Sequence, residues 1–305
     1  METQQQRNVL SVDVEDYFHV EAFSSIVDRK DWESFPSRVE ENTHRLLDLF
    51  DETGVKATCF ILGWVAERYP ALVAEIVRRG HEPACHSYWH RLIFRLSPEE
   101  FRQDTQRAKD CIEQAAGEPV FGYRAPTFSI TQESSWAPEV LAELGFHYDS
   151  SIFPVKHDVY GVPHAPRGPF RFETPSGPLN EYPMSTFRFW KSPNMPVAGG
   201  GYLRIFPYWY TRMGVHRAWK EGLPVIAYVH PWEVDPEQPR MENARWKSRL
   251  RHYTNLSKTA KRLRRLVRLG PFSSFRDSGL EPGHRTFEWL RTKHDDAPVE
   301  LAHKQ

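Results

Sequence analysis

Over the first 155 residues, short apolar runs alternate with segments of helical period, the pattern of βα units with parallel strands. Val9 to Val12 predicts a first strand. Ser37 with Glu40 three positions on predicts a capping box, and Val39, Leu46, Leu47 and Phe50 continue at helical spacing until Gly54. The run 55–62 (VKATCFIL) predicts a second strand, 71–79 a helix closed by Gly80, and 81–85 a third strand. Ser97, Pro98 and Glu100 read as N-cap, N1 and N3 of a helix reaching Gly117. Strands at 120–123 and 146–150 follow, with a helix ending near Leu144 between them.

From Pro154 to Gly201 the chain is rich in Pro and Gly and predicts long loops around one strand, Asn180 to Met184. Loops of that length in a compact domain commonly shape a binding site. The run 224–230 (PVIAYVH) predicts the last strand. Residues 245–268 then carry ten Lys or Arg, with Leu256, Leu263, Leu266 and Val267 at helical spacing, and no acid follows Asn243 until Asp277. The expected organisation is an α/β barrel domain over 1–240 and a basic helical extension over 241–305 packed on or beside it, ending in a polar tail after Asp295.

Composition narrows the class. A chain of 305 residues with 40% hydrophobic and 13% aromatic content can bury a core, which excludes disorder. The 40 basic and 40 acidic residues cancel, so no global field favours nucleic acid or an anionic membrane. Cys59, Cys85 and Cys111 form no CxxC pair and imply no disulfide framework. The polar N-terminus lacks a secretory apolar segment, and no stretch approaches ~18 apolar residues. The expectation is a cytoplasmic enzyme, free or at a membrane periphery or biosynthetic complex.

The chemistry concentrates at predicted strand ends. His86 and His90, four residues apart in HSYWH, can turn two imidazoles to one side and hold a divalent cation. Asp13, Glu15 and Asp16 crowd the end of the first strand, where barrels place catalytic groups and where a buried charge needs a partner. Arg124 follows the fourth strand, Asp149 the fifth and His230 the last. An Arg beside buried carboxylates can orient one of them, and a His across the rim can donate a proton.

In this order, Asp13-Val-Glu15-Asp16, HSYWH, Arg124-Ala-Pro126-Thr-Phe128, Asp149-Ser-Ser and His230-Pro-Trp resemble the five motifs of the polysaccharide deacetylases with a NodB homology domain. With the basic extension, the chain looks like the subgroup encoded with bacterial exopolysaccharide and exosortase systems. The resemblance implies a distorted (β/α)7–8 barrel and metal-dependent hydrolysis of N-acetyl groups on an amino-sugar glycan, with zinc as the expected metal. It implies Asp13 as base, His86 and His90 as metal ligands, Arg124 as the residue orienting the base and His230 as acid. The family commonly has two adjacent Asp, whereas Val14 follows Asp13 here, so the third ligand falls to Glu15 or Asp16. Glu15 is favoured because it shares a face with Asp13 if the strand continues. Tyr17, Phe128, Asp149 and Trp232 are the expected substrate contacts. Competing readings are a same-fold amidohydrolase of small cyclic amides or ureides and a non-catalytic carbohydrate-binding protein.

Overall fold

The computed structural model describes residues 7–289 except 191 and 198. Strands β1 (Asn8–Val14), β2 (Thr58–Ile61), β3 (Glu82–Cys85), β4 (Gly122–Tyr123) and β5 (Tyr148–Asp149) pair in that order, all parallel. All seven residues of β1 are buried, as expected of a parallel strand covered on both faces. The helices between these strands are α1 (Val39–Thr53), α2 (Gly63–Arg68), α3 (Pro70–Arg78), α4 (Pro98–Ala116) and α5 (Ala137–Glu143). Gly54 and Gly117 close α1 and α4 in the left-handed region, which glycine enters without a Cβ clash.

Ser97 and Glu100 form the expected capping box of α4. The matching pattern at Ser37 and Glu40 does not. The first amides of α1 are taken instead by Asp16, whose Oδ2 accepts from Arg38 N at 2.7 Å and Val39 N at 3.0 Å, while Ser37 Oγ donates to the same oxygen.

The middle of the chain departs from the loop expectation. A hairpin of β6 (Phe170–Thr174) and β7 (Gly177–Glu181) carries the sheet onward, β7 parallel to β5 and β6 antiparallel at the edge. The predicted strand at Asn180 is thus shifted toward Gly177. A second short pair, β8 (Thr186–Phe187) and β9 (Met195–Pro196), precedes α6 (Gly200–Ile205), α7 (Tyr208–Lys220) and β10 (Ile226–Val229). Strand β10 pairs with β1 on the side opposite β2, giving the order β10-β1-β2-β3-β4-β5-β7-β6. The ring then meets itself through single contacts. Ser185 Oγ accepts from Ile226 N at 2.7 Å, and Gly199 bridges Tyr228 so closely that a Cβ there would sit 2.2 Å from the Tyr228 ring. A barrel closed by such a seam is a distorted one.

The basic segment folds into the same body. Helices α8 (Trp246–Tyr253) and α9 (Leu256–Val267) follow, and Leu256, Leu263, Leu266 and Val267 are buried in the main core. Strand β11 (Phe272–Ser273) pairs with β1 at Asn8 and Val9, and α10 (Phe275–Ser278) is tied to β2 by Phe275 N donating to Thr58 Oγ1. The expected polar tail after Asp295 lies outside the described residues.

Candidate functional site

The C-terminal ends of the parallel strands converge on a pocket of about 180 Å³ lined by Asp13, Glu15, His86, His90, Thr127, Phe128, Tyr160, Tyr228, His230 and Trp232, with Val20, Glu21 and Ala22 at its edge. This is the rim on which barrels carry catalytic groups.

Strand β1 ends at Val14, and Glu15 N–H folds back onto Asp13 O at 3.0 Å. A tight turn, not a continued strand, brings both carboxylates to the pocket. Asp13 Oδ1 lies 2.7 Å from Arg124 Nη1. That guanidinium is fully buried and also donates to Ser11 Oγ at 2.7 Å, Ser150 O at 3.1 Å and Ser150 Oγ at 3.0 Å, over the ring of Phe60 at 4.1 Å. Arg124 thus has fixed partners on three sides and fixes Asp13 in turn.

Glu15, His86 and His90 are buried, and one ligand atom from each falls within 4.8 Å of the others. His86 Nδ1 lies 2.8 Å from the Arg124 carbonyl, which only accepts, so Nδ1 carries the proton and Nε2 keeps its lone pair. Burial and the neighbouring His90 lower the His86 imidazole to about 4, so it is neutral at pH 7. Burial alone would raise the Glu15 carboxyl, but His90, His230 and His86 hold it well below the usual carboxylate range. Glu15 Oε2 lies 2.9 Å from His90 Nε2, and among the described residues His90 Nδ1 is buried with no hydrogen-bond partner. Two imidazoles and a carboxylate within reach of one another suit a divalent cation.

Across the pocket, His230 Nε2 stands 3.6 Å from Glu15 Oε1 and 3.9 Å from Asp13 Oδ2. Its Nδ1 is 3.0 Å from Glu233 Oε2, in the same short helical turn (Pro231–Val234). Burial would lower the His230 imidazole, but the Glu233 bond and the surrounding carboxylates raise it to about 9. Glu233, fully buried, is paired on its other oxygen with Arg204 Nε. Burial opposes ionisation of Glu233, yet Arg204 and His230 bring it down to about 2. Arg204, only 2% exposed, also donates to the carbonyls of Arg251, His252 and Thr254. The Trp232 ring is stacked between His230 (centroids 5.0 Å) and His252 (4.1 Å), and its Nε1 donates to Glu15.

Three expected site residues lie elsewhere. Asp16 is spent on capping α1, its Oδ1 taking Tyr17 N, so its carboxylate has no free direction toward the histidines. Tyr17 is fully buried against Phe18 and does not reach the pocket. Asp149 is fully buried, accepts from Ser151 Oγ and interacts with Glu181. Burial pushes Asp149 up to about 6, and burial with the Asp149 charge pushes Glu181 well above the carboxylate range, so the two share a proton in the interior. Phe128 and Trp232 do line the pocket. Glu233 and Arg204 went unassigned in the sequence. Glu233 is signalled by its place three residues after His230, whereas Arg204 has no local signal.

Strain accompanies the site. Ser87, His90, Thr127 and Phe128, all non-glycine, have φ between 50 and 62°. Such left-handed residues persist only where the surroundings over-determine them.

The family model for polysaccharide deacetylase matches residues 31–148, and a domain of unknown function (DUF3473) matches 150–278. His86, His90 and Arg124 fall in the first, Arg204, His230 and Glu233 in the second, and Asp13 and Glu15 precede both. A peptidoglycan-N-acetylglucosamine deacetylase of Bacillus cereus is 31% identical over 100 residues, 32% of this chain and 36% of that protein. A chitooligosaccharide deacetylase of Bradyrhizobium is 28% identical over 100 residues, 33% of this chain and 43% of that protein. The chain therefore spans less than half the length of these relatives. A crystal structure of a candidate polysaccharide deacetylase from Mycobacterium smegmatis shares the fold, with TM-score 0.58 and 20% identity over 88% of this chain and 86% of that one. By the family match, residues 31–148 form a polysaccharide deacetylase domain, and the chain shares the fold of the Mycobacterium smegmatis structure.

Proposed function

We propose that the chain is a metal-dependent deacetylase that hydrolyses N-acetyl groups on amino sugars of a bacterial exopolysaccharide or its precursor. The observation that carries this is the Glu15, His86 and His90 group, set within one pocket against Asp13 and His230. The named activities of the relatives, on peptidoglycan and chitooligosaccharide, support amino-sugar amides as the substrate class.

Glu15, His86 and His90 would hold the metal, with zinc the ion their donor set favours. Once bound, the metal supplies polarisation of the amide carbonyl and acidification of a water. Asp13, held in place by Arg124, takes the proton of the attacking water. His230, charged through its Glu233 bond, delivers a proton to the amide nitrogen as the C–N bond breaks, leaving acetate and a free amine. The amide N–H of Phe128 is taken by Ala125 O, which leaves Thr127 as the backbone donor for the oxyanion. Phe128, Tyr160, Tyr228 and Trp232 provide apolar walls against which a sugar ring and an acetyl methyl can pack.

The test is acetate release from N-acetylglucosamine oligomers before and after a chelator, with zinc added back. Chelator-sensitive release restored by zinc is expected. Release indifferent to chelation would remove the metal from the reaction, and no release from any N-acetylated glycan would move the substrate to another amide.

A further inference from the structure

The molecule is electrically lopsided. Residues 245–268 carry ten basic side chains and no acid, leaving 30 basic against 40 acidic residues elsewhere. Eight of the ten are exposed: Arg245, Lys247, Arg249 and Arg251 in or beside α8, and Lys258, Lys261, Arg265 and Arg268 in or beside α9. Among the described residues none of these eight is ion-paired with a carboxylate; the one such pair in the stretch is Arg264 with Glu52. Their charge is therefore unpaired among the described residues.

On the same helix, Trp246 and Leu250, one turn apart, are 69% and 62% exposed. With Arg240, Arg249, Tyr253 and Thr254 they line an open groove. A soluble helix usually buries such side chains, and here the buried work of the segment is done by Leu256, Leu263, Leu266 and Val267 of α9. Charge alone would suit any polyanion. Large apolar side chains raised among basic ones suit a surface with anionic groups above hydrocarbon. Helix α8 also adjoins the pocket, because its His252 stacks on Trp232 in the pocket wall.

We propose that α8 and α9 dock the chain on an anionic lipid surface, with Trp246 and Leu250 seated among the headgroups and the pocket beside that surface. This does not depend on the reaction assigned above. It fits a substrate carried at a membrane, since docking would hold the pocket next to lipid-borne glycan.

The test is co-sedimentation of the full chain with vesicles of mixed phosphatidylglycerol and phosphatidylcholine, against phosphatidylcholine alone. Partition into the anionic vesicles that weakens with salt is expected. Combined R245E, K247E and R249E should lower it on the order of a hundredfold. Combined W246A and L250A should lower it about tenfold with the charge intact. All five side chains are exposed, so unchanged thermal unfolding of both variants serves as the control for folding. No partition into anionic vesicles would overturn the proposal, as would partition that ignores both sets of substitutions. Binding of the intact chain to heparin or DNA but not to vesicles would overturn it in favour of a soluble polyanion.

Discussion

The first half of the barrel, residues 8–149, and the second, 150–278, reach the same pocket by different means. In the first, each strand leads to a helix with a recognisable stop, and Asp13, Glu15, His86, His90 and Arg124 stand on or just past strand ends. In the second, a hairpin and a seam of single contacts replace the regular ladder, and His230 is held by buried charge: Glu233, then Arg204, then three backbone carbonyls. The contrast teaches that the Glu15, His86 and His90 group rests on backbone geometry, whereas His230 rests on an ion-pair network. Substitutions in the first half should therefore separate chemistry from stability, and those behind His230 should couple them.

The largest effect is expected at Asp13. Asp13→Asn keeps an acceptor for Arg124 but removes the proposed base, so acetate release should fall on the order of 10³-fold with metal content unchanged. Retained turnover would take Asp13 out of the mechanism. Next comes Glu233→Gln, which leaves Arg204 and His230 without their buried counter-charge. A fall in kcat of about 10- to 100-fold is expected, together with about 3 to 5 kcal/mol of stability. Urea unfolding measured beside kcat and KM decides the matter: lost stability with kcat intact would reduce the network to scaffold.

Smaller effects sharpen the same division. Asp16→Ala uncaps α1 and should cost about 1 to 3 kcal/mol while the metal stays bound. Loss of metal on that substitution would make Asp16 a ligand after all. The least effect is expected at Glu181. Its folded pKa is raised, so its contribution is complete below the unfolded carboxylate range and is lost as pH rises through the folded value. Glu181→Gln cannot ionise and should gain stability relative to wild type between pH 5 and pH 8, on the order of 1 kcal/mol. A difference that is flat or reversed with pH would contradict a proton shared with Asp149.

The same contrast governs what could be read from the sequence. The βα order, the helix stops at Gly54 and Gly117, and the strand-end positions of Asp13, His86, Arg124 and His230 were legible because local residues report local backbone. The hairpin of β6 and β7 was hidden because its short alternation sits among Pro and Gly. Ser37 and Glu40 carry the same signature as Ser97 and Glu100, yet only the latter pair caps its helix, because Asp16 already occupies the amides of α1. No window of sequence contains that competition. Tyr17 and Asp149 looked like substrate contacts from their place after strands, but their burial follows from packing across the barrel. Arg204 is 29 residues from Glu233 and meets it only in the fold.

The central claim, that the ends of β1 and β3 hold one divalent metal, is tested most directly by the metal content of the purified chain beside Glu15→Ala and His86→Ala. The account predicts about one metal per chain in the wild type and its loss in both variants. Full metal in either variant, with the fold intact, would place the ligands elsewhere and contradict it.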